Sequence, residues 1–298
     1  MSGLLLENKA ESVDGCLRTL VLSVEDHVEF LEGRKISRRQ ESPRWIDAYK
    51  VPGQFIGIRY PADSAHTQTG PLRPANRLYA IASSPYQAKS ESADLDASII
   101  EVLVDRDGGE DDQKLAELGP GSLAEISQVV GRGYASLFNT YVGLLSALEE
   151  SRDLLLIGMG AKGIAPLRAA LQWTPLQAHA TAKSICLYYM CGSATSAAYV
   201  KEWDLWREAG IRVNPIYLSD AASSNNNGNG TGSIQAIKDG LEEAIFGAEA
   251  GLAATMGGNP RECAVLLSGL PGDVAAGITR RLGIEGVAKE RILFCDFF

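Results

Sequence analysis

The sequence predicts two consecutive domains: an antiparallel β-barrel, followed by a doubly wound α/β domain built on a parallel sheet. Three observations lead to this fold class. Short strand-like segments separated by turns fill the first half, strands alternate with helices in the second half, and 298 residues suit two ordinary domains. We expect the boundary between residues 135 and 152, which gives domains over 1–145 and 146–298.

The first half is assigned to strands because its apolar segments have strand length and end at turn-forming residues. The predicted strands cover 17–24, 54–60, 77–83, 98–104 and 124–130. One helix is expected near 111–118, since Gly119-Pro120-Gly121 follows it as a stop signal. Short strands at this spacing favour a small barrel or sandwich.

The second half repeats a strand and a helix, which is typical of βαβ units and a parallel sheet. The predicted strands cover 153–157, 184–189, 211–217, 263–267 and 291–295. The predicted helices cover 163–173, 195–209, 233–246 and 271–282, with a linking helix at 138–150. The low-complexity run 223–232 predicts a loop.

Charge and composition narrow the functional classes. The chain carries 37 acidic and 28 basic residues, a net charge of −9, which argues against a nucleic-acid or anionic-membrane surface. No apolar run has the length of a bilayer span. The polar, acidic residues 1–14 lack the features of a signal or transit peptide, so a soluble intracellular protein is expected.

Metal and disulfide sites are not expected. The five cysteines are scattered without a C-x-x-C pair, and the three histidines are too far apart along the chain for ligand spacing.

The stretch 77–85, RLYAIASSP, carries the most chemical information. On a strand, Arg77, Tyr79 and Ser83 fall on one face because side chains alternate. A cation, a phenol and a small hydroxyl are the groups that a phosphate-bearing aromatic cofactor needs. The alternative is an ordinary strand with a surface Arg and a half-buried Tyr.

A glycine-rich loop, GMGAKGIAP over 158–166, lies between a predicted strand and a predicted helix. This context suits a dinucleotide fingerprint. The candidate nucleotide-binding residues are Gly158, Gly160, Lys162, Gly163 and Pro166. The Lys162 side chain either binds a phosphate as a point charge or fills the pocket itself.

Together and in this order, the two motifs resemble the ferredoxin–NADP reductase superfamily, and look closest to its plant "fruit protein" branch. The stretch 77–83 resembles the family motif Arg-x-Tyr-Ser/Thr-x-x-Ser except at Ala80, which implies that Arg77 pairs with the pyrophosphate of FAD and Tyr79 packs on the flavin. Aligned on Gly-Ile-Ala-Pro, the loop resembles the family's Gly-Thr-Gly-Thr-Gly-Ile-Ala-Pro, with Lys162 where a small Thr or Ser normally stands.

The resemblance implies a flavin-type barrel, an NAD(P)-binding domain, and hydride transfer between NAD(P)H and FAD. The electron acceptor, a protein or a small molecule, is not identified, and a protein complex is possible. The plant branch is associated with plastids, with the cytoplasm as the alternative.

The resemblance implies further site residues. Gly108 and Gly109 precede a helix where the family binds phosphate, although Glu110-Asp111-Asp112 would repel a phosphate and equally suit a helix start. Ser268 stands where the family has a Cys near the nicotinamide. Asp296 matches an acidic residue near the site, and Phe298 either covers the flavin or ends a buried strand.

Several positions depart from the family pattern. Ala80 replaces a hydroxyl beside the reactive flavin nitrogen, Ala161 replaces a Gly, Ser268 replaces a Cys, and the Arg expected after Tyr188-Tyr189 is missing. These departures favour a second hypothesis, a catalytically degenerate protein of the same fold that acts as a binding or assembly subunit. A third hypothesis is a flavin-binding sensor with slow turnover.

Overall fold

The computed structural model describes residues 1–25, 29–31, 34–36, 44–59, 77–90, 97–218, 231–247, 251–256 and 258–295. Its strands form two six-stranded sheets, called here the first and second sheets, and a separate hairpin of β3 (Glu29–Leu31) and β4 (Arg34–Ile36). In the described part of the chain, no helix is both long and apolar enough to cross a membrane.

The first sheet is antiparallel throughout. Its strands are β1 (Ser2–Ala10), β2 (Leu17–Glu25), β5 (Phe55–Arg59), β6 (Leu78–Ala80), β7 (Ala97–Asp105) and β8 (Leu123–Ile126), in the order β6-β5-β8-β1-β2-β7. An isolated bridge between Ile81 and Val102 brings the two edge strands together. The sheet is therefore barrel-like, without a continuous ladder to close it.

Strand β1 is absent from the sequence prediction, which treats residues 1–14 as a polar segment. The strand lies between β8 and β2, so it is central to the sheet. Its register shifts between Leu5 and Glu7, and of its three consecutive leucines only Leu5 is buried, while Leu4 and Leu6 are 37% exposed. The irregularity hides the period of two that marks a half-buried strand.

The second sheet is parallel except for one short edge strand. Its strands are β9 (Ala135–Ser136), β10 (Asp153–Met159), β11 (Ile185–Cys191), β12 (Ile211–Tyr217), β13 (Cys263–Ser268) and β14 (Ile292–Phe294), in the order β12-β11-β10-β13-β14-β9. Strand β9 comes from the N-terminal side of the predicted boundary and pairs antiparallel with β14. The division at 145/146 stays a prediction.

Helices occupy the connections between the strands. They are α1 (Pro85–Ser90), α2 (Glu110–Ala116), α3 (Leu144–Glu149), α4 (Gly160–Leu171), α5 (Thr174–Ala180), α6 (Trp203–Glu208), α7 (Thr231–Phe246), α8 (Gly251–Met256) and α9 (Gly272–Ile284). Most of the predicted loop at 223–232 lies outside the described residues.

The helix predicted at 195–209 is much shorter than expected. Ser196 donates its backbone N–H to the hydroxyl of Ser193, and Ser193 donates its own to that of Ser196, so these side chains satisfy the backbone outside a helix. Tyr199 then adopts a left-handed conformation with φ 57°. Regular α-helix begins only at Trp203. The linking helix predicted at 138–150 is likewise reduced to α3.

One apolar core runs through both halves of the molecule. Leu17, Ala82 and Leu103 of the first half belong to the same buried cluster as Leu156 and Ile164 of the second. Because each half contributes to this core, the two sheets are held against each other by buried apolar surface. Ala80 and Ala82 of the 77–83 stretch belong to this shared core, so this part of the motif lies where the halves meet.

Candidate functional site

Arg77 and Tyr79 converge on one carboxylate. The Arg77 guanidinium forms an ion pair with Asp112, and the Tyr79 hydroxyl donates a hydrogen bond to the same group. Arg77 also donates through Nη2 to the carbonyl oxygen of Gly108 at 2.9 Å. Asp112 lies in the first turn of α2 and is only 6% exposed. The cation and the phenol thus already share a buried anion.

The two glycines before α2 allow this close approach. A Cβ atom on Gly109, whose φ is +130°, would lie 2.8 Å from Nη2 of Arg77. A Cβ atom on Gly108 would overlap the Asp112 carboxylate. Gly108 and Gly109 are therefore required by the Arg77–Asp112 contact itself. Their predicted role in phosphate binding stays a prediction.

Ser83 is separated from Arg77 and Tyr79, because regular strand ends at Ala80. Its hydroxyl accepts the backbone N–H of Glu101 at 3.1 Å, and its carbonyl accepts the hydroxyl of Tyr49 at 2.6 Å. Ser83 is 4% exposed. The expectation of three side chains on one face thus describes only Arg77 and Tyr79, since Ser83 fixes the backbone of the motif.

The glycine-rich loop forms a strand-to-helix turn, as its spacing predicts. Helix α4 begins at Gly160, immediately after β10, without a side-chain cap. Gly160 has φ +59° and open space around it, and Lys162 is exposed in the first turn. Pro166 is buried within the helix. The exposed cation and the open turn leave this end of α4 accessible to an anion.

Lys162 also acts across the boundary between the halves. Burial raises the pKa of Asp105 at the end of β7, and the Lys162 ammonium partly offsets that rise. The positive charge of Lys162 therefore favours the ionised form of this carboxylate in the first half.

Gly158 and Gly163 of the same glycine-rich loop are closely packed against the end of β13. A Cβ atom on Gly163 would lie 2.8 Å from the carbonyl oxygen of Ser268, and one on Gly158 would contact Gly163. Gly269, with φ +70°, faces the same loop so closely that a Cβ would overlap Gly163 N and Met159 O. The glycines at 158 and 163 thus bring the β10 and β13 loops into contact.

Ser268 lies inside this contact. Its hydroxyl donates to the Gly163 carbonyl at 2.8 Å and accepts the Tyr134 hydroxyl at 3.1 Å. Ser268 is 3% exposed, and the cavity beside it measures about 10 Å³, enough for a single water molecule. Both hydrogen bonds of the Ser268 hydroxyl are made within the protein. Its predicted catalytic role stays a prediction.

Two predicted catalytic residues, Asp296 and Phe298, lie outside the described residues. The chain is described as far as Cys295, whose thiol donates to the carbonyl of Gly53 at 3.1 Å. Cys295 is buried beside Tyr49 and Tyr134, and burial raises the pKa of both phenols well above the usual value. The end of β14 thus runs into the boundary between the two halves.

Sequence reasoning missed a buried ionic cluster centred on Arg168 of α4. The guanidinium pairs with Glu101 of β7 and, at 2.7 Å, with Glu202, and donates to the Ala82 carbonyl at 3.3 Å. It also lies 4.5 Å from the ring centre of Tyr199. Its position inside an apolar helix was the available signal, since an Arg that is 7% exposed needs partners.

A cavity of about 770 Å³ lies elsewhere, against α9. Phe138, Ala276, Ile284 and Lys289 line it, and none of the predicted site residues that the structure describes does. It is therefore separate from the motif residues.

Metal-ligating groups do not cluster. In the described ranges, no group of three or more His, Cys, Asp or Glu residues is placed to hold an ion. All five cysteines fall in those ranges and are unbridged. His179 lies 2.6 Å from the carbonyl of Arg152, while His27 and His66 lie outside the described residues.

Sequence comparison gives no relative, since no family model and no curated protein matches the chain. Solved structures match nearly all of it. The flavohem-like FAD/NAD-binding domain of a nitric oxide dioxygenase from Vibrio cholerae O1 biovar El Tor aligns at a TM-score of 0.60 with 18% identity, covering 100% of this chain and 98% of that chain.

Two reductases give similar alignments. Ferredoxin–NADP⁺ reductase from Neisseria gonorrhoeae, solved with bound FAD and NADP, has a TM-score of 0.61 with 15% identity and covers 99% of this chain and 97% of that chain. The Plasmodium falciparum reductase has a TM-score of 0.59 with 12% identity and covers 98% and 94%. The predicted two-domain fold of the ferredoxin–NADP reductase superfamily is therefore confirmed, while the plant branch stays a prediction.

Proposed function

We propose that this chain is an FAD-dependent NAD(P)H oxidoreductase of the ferredoxin–NADP reductase type. One observation carries the proposal. Arg77 and Tyr79, matched to the family's flavin motif, both direct their polar groups at a single anionic position, which the Asp112 carboxylate of α2 occupies. The fold, which resembles that of FAD- and NADP-binding reductases, supports the proposal.

The side chains of Arg77 and Tyr79 are of the chemical types that bind the phosphates of FAD. The Arg77 guanidinium offers a planar fork of donors, and Tyr79 adds a hydroxyl donor beside it. Arg77 keeps 37% of its side chain exposed, so a ligand has access to it. Bound FAD would supply the acceptor for a hydride, and the role of these two side chains is to hold and orient it.

The start of α4 suits the phosphate of a nicotinamide nucleotide. Its first N–H groups have no side-chain cap, Gly160 leaves the approach open, and Lys162 adds an exposed positive charge. Ser268 is proposed to lie behind the nicotinamide, oriented by Tyr134. Asp296 and Phe298 complete the proposed site.

A second candidate function is a binding or assembly subunit that has lost turnover. The observation that favours it is the filled interior of the site: Asp112 occupies the donors of Arg77 and Tyr79, and Ser268 is buried. Ala80, 6% exposed in the core between the halves, also offers only a methyl group and cannot relay a proton.

The electron acceptor of the proposed enzyme is a protein or a small molecule. Among structural neighbours of this chain are a cytochrome P450 reductase from Amycolatopsis and the ferredoxin reductase of a carbazole dioxygenase, which supports a protein acceptor. The plastid, suggested by the plant branch, stays a proposal for its location, with the cytoplasm as the alternative.

An absorbance spectrum of the purified protein, before and after anaerobic NADPH, tests the proposal. A flavin spectrum that bleaches supports an active reductase. A flavin spectrum that persists supports a flavin protein impaired in hydride transfer, and Ala80→Ser would then be expected to speed reduction. If no flavin is present even after incubation with FAD, the second candidate function is favoured.

A further inference from the structure

We propose that Asp112 is an internal anion that competes with the diphosphate of FAD, and so determines how the protein discriminates among flavins by charge. The proposal rests on the proposed function, since it assigns Arg77 and Tyr79 to the flavin. It adds a residue to that site which the family motif does not contain.

The contacts of Asp112 are those expected of a bound anion. One carboxylate oxygen faces Arg77 and the other accepts the Tyr79 hydroxyl. The side chain is 9% exposed, and the backbone of Gly108 folds around it, accepting a further bond from Arg77. The two donors that would recognise a diphosphate therefore already contact a carboxylate of the protein itself.

Three cations described near this site are each paired with a carboxylate. Arg77 is balanced by Asp112, Lys114 pairs with Glu110 at 2.7 Å, and Arg106 lies 3.8 Å from Glu117. Each of these cations thus has its own carboxylate. A diphosphate must displace Asp112 from Arg77 or bind beside it against charge repulsion.

Displacement has a defined consequence for ligand choice. FAD carries the diphosphate, so Asp112 lowers its binding affinity. Riboflavin carries no phosphate and does not compete with the carboxylate. A neutral residue at position 112 removes the penalty for FAD and leaves the affinity for riboflavin unchanged. The difference between the two flavins is therefore the property that Asp112 controls.

The test is a set of equilibrium titrations on the full chain, stripped of any bound flavin. Wild type, Asp112→Asn and Asp112→Ser are titrated with FAD, with riboflavin and with inorganic pyrophosphate, by flavin fluorescence or calorimetry. Asp111→Asn is the matched control, because it removes the same charge from an exposed neighbouring position. Circular dichroism and thermal unfolding verify that each variant is folded, and Asp112→Ser serves if Asp112→Asn does not fold.

We expect both Asp112 variants to bind FAD about tenfold more tightly than wild type, with riboflavin affinity unchanged and Asp111→Asn within about twofold of wild type. Equal FAD affinity in wild type and the Asp112 variants would overturn the proposal while leaving the proposed function intact. An equal gain from Asp111→Asn would also overturn it, since the effect would then be general electrostatics.

Titration with pyrophosphate distinguishes the proposal about Asp112 from the proposed FAD-dependent function. If the Asp112 variants bind pyrophosphate more tightly than wild type but no variant binds FAD, Asp112 is an internal anion and the proposed function fails. If folded Asp112 variants bind neither pyrophosphate nor FAD, both proposals are overturned.

Discussion

Arg168 and Glu101 form an ion pair that joins the two halves of the molecule, since Arg168 lies on α4 beside the second sheet and Glu101 lies on β7 of the first. The same guanidinium donates to the carbonyl of Ala82, within the motif that carries Arg77 and Tyr79. One buried cation therefore fixes the 77–85 stretch against helix α4. Glu202 is a second carboxylate that pairs with the same guanidinium.

Replacing Arg168 by Met is expected to destabilise the protein by about 3–5 kcal/mol, because Glu101 and Glu202 would lose the partner that compensates their burial. Urea unfolding measures the effect. Arg207→Met is the control: Arg207 forms an exposed pair with Asp204, so its loss is expected to cost less than about 1 kcal/mol. Similar losses for the two variants would contradict the structural role of Arg168.

Glu11→Gln is expected to stabilise the protein at neutral pH. Burial raises the pKa of Glu11, helped by the nearby Glu202 and Glu101 and opposed by Arg168 and Thr19, so the folded state disfavours its charged form. The gain is limited to about 1 kcal/mol or less, because the group is partly solvated. It is full above the raised pKa and disappears as the pH falls below the unfolded value near 4.3.

Urea unfolding midpoints between pH 7 and pH 4 check this pH dependence. Glu149→Gln, at an exposed position on α3, is the control and is expected to show no comparable trend. A gain for Glu11→Gln that grows toward acid pH would have the wrong sign and would disprove the interpretation.

Gly269→Ala is expected to destabilise the protein by at least about 2 kcal/mol, since φ is +70° and the added methyl would overlap the Met159–Gly163 turn. Gly277→Ala makes the same chemical change in α9, where nothing lies within 4 Å, and is expected to stabilise by up to about 1 kcal/mol. Thermal unfolding of both variants is the measurement, and effects of the same sign would refute the close packing of the β10 and β13 loops.

Lys162→Ala is expected to weaken NADPH binding by about tenfold without lowering stability, because the side chain is exposed and the proposed phosphate site loses its charge. Titration with NADPH measures the affinity, and thermal unfolding measures the stability. Lys201→Ala removes another exposed lysine of the same half and should leave the affinity unchanged. Equal effects of the two variants would remove Lys162 from the proposed site.

The sequence predicted those strands and helices whose side chains are buried in a regular pattern. Strands β10 and β13 are nearly continuous apolar runs, and the structure buries β13 along its whole length. It was insufficient where one local feature overrides the pattern, as with the register shift in β1 and the serine-bonded turn before Tyr199. Neither the register shift nor the turn is visible in the amino-acid composition of its segment, so the sequence pattern did not predict them.

For the candidate site as well, the sequence predicted some features and not others. Arg77, Tyr79 and the glycine-rich loop were identified from residue type and spacing. The contact of Arg77 with Asp112 joins residues 35 positions apart and depends on how α2 packs against β7, which no local pattern records. The burial of Ser268 likewise arises from contact with Tyr134, which is 134 residues away along the chain.

The pairing of β9 with β14 determines how the chain can be divided. Ala135 and Ser136 cover the outer side of β14, opposite Phe294 and Leu293. A fragment that starts at residue 146 would leave the backbone groups of β14 that face β9 without partners, although β14 would still pair with β13. Such bare edges recruit strands from other molecules. A fragment that keeps residues from 134 onward retains this cover and is the safer choice for expressing the second half alone.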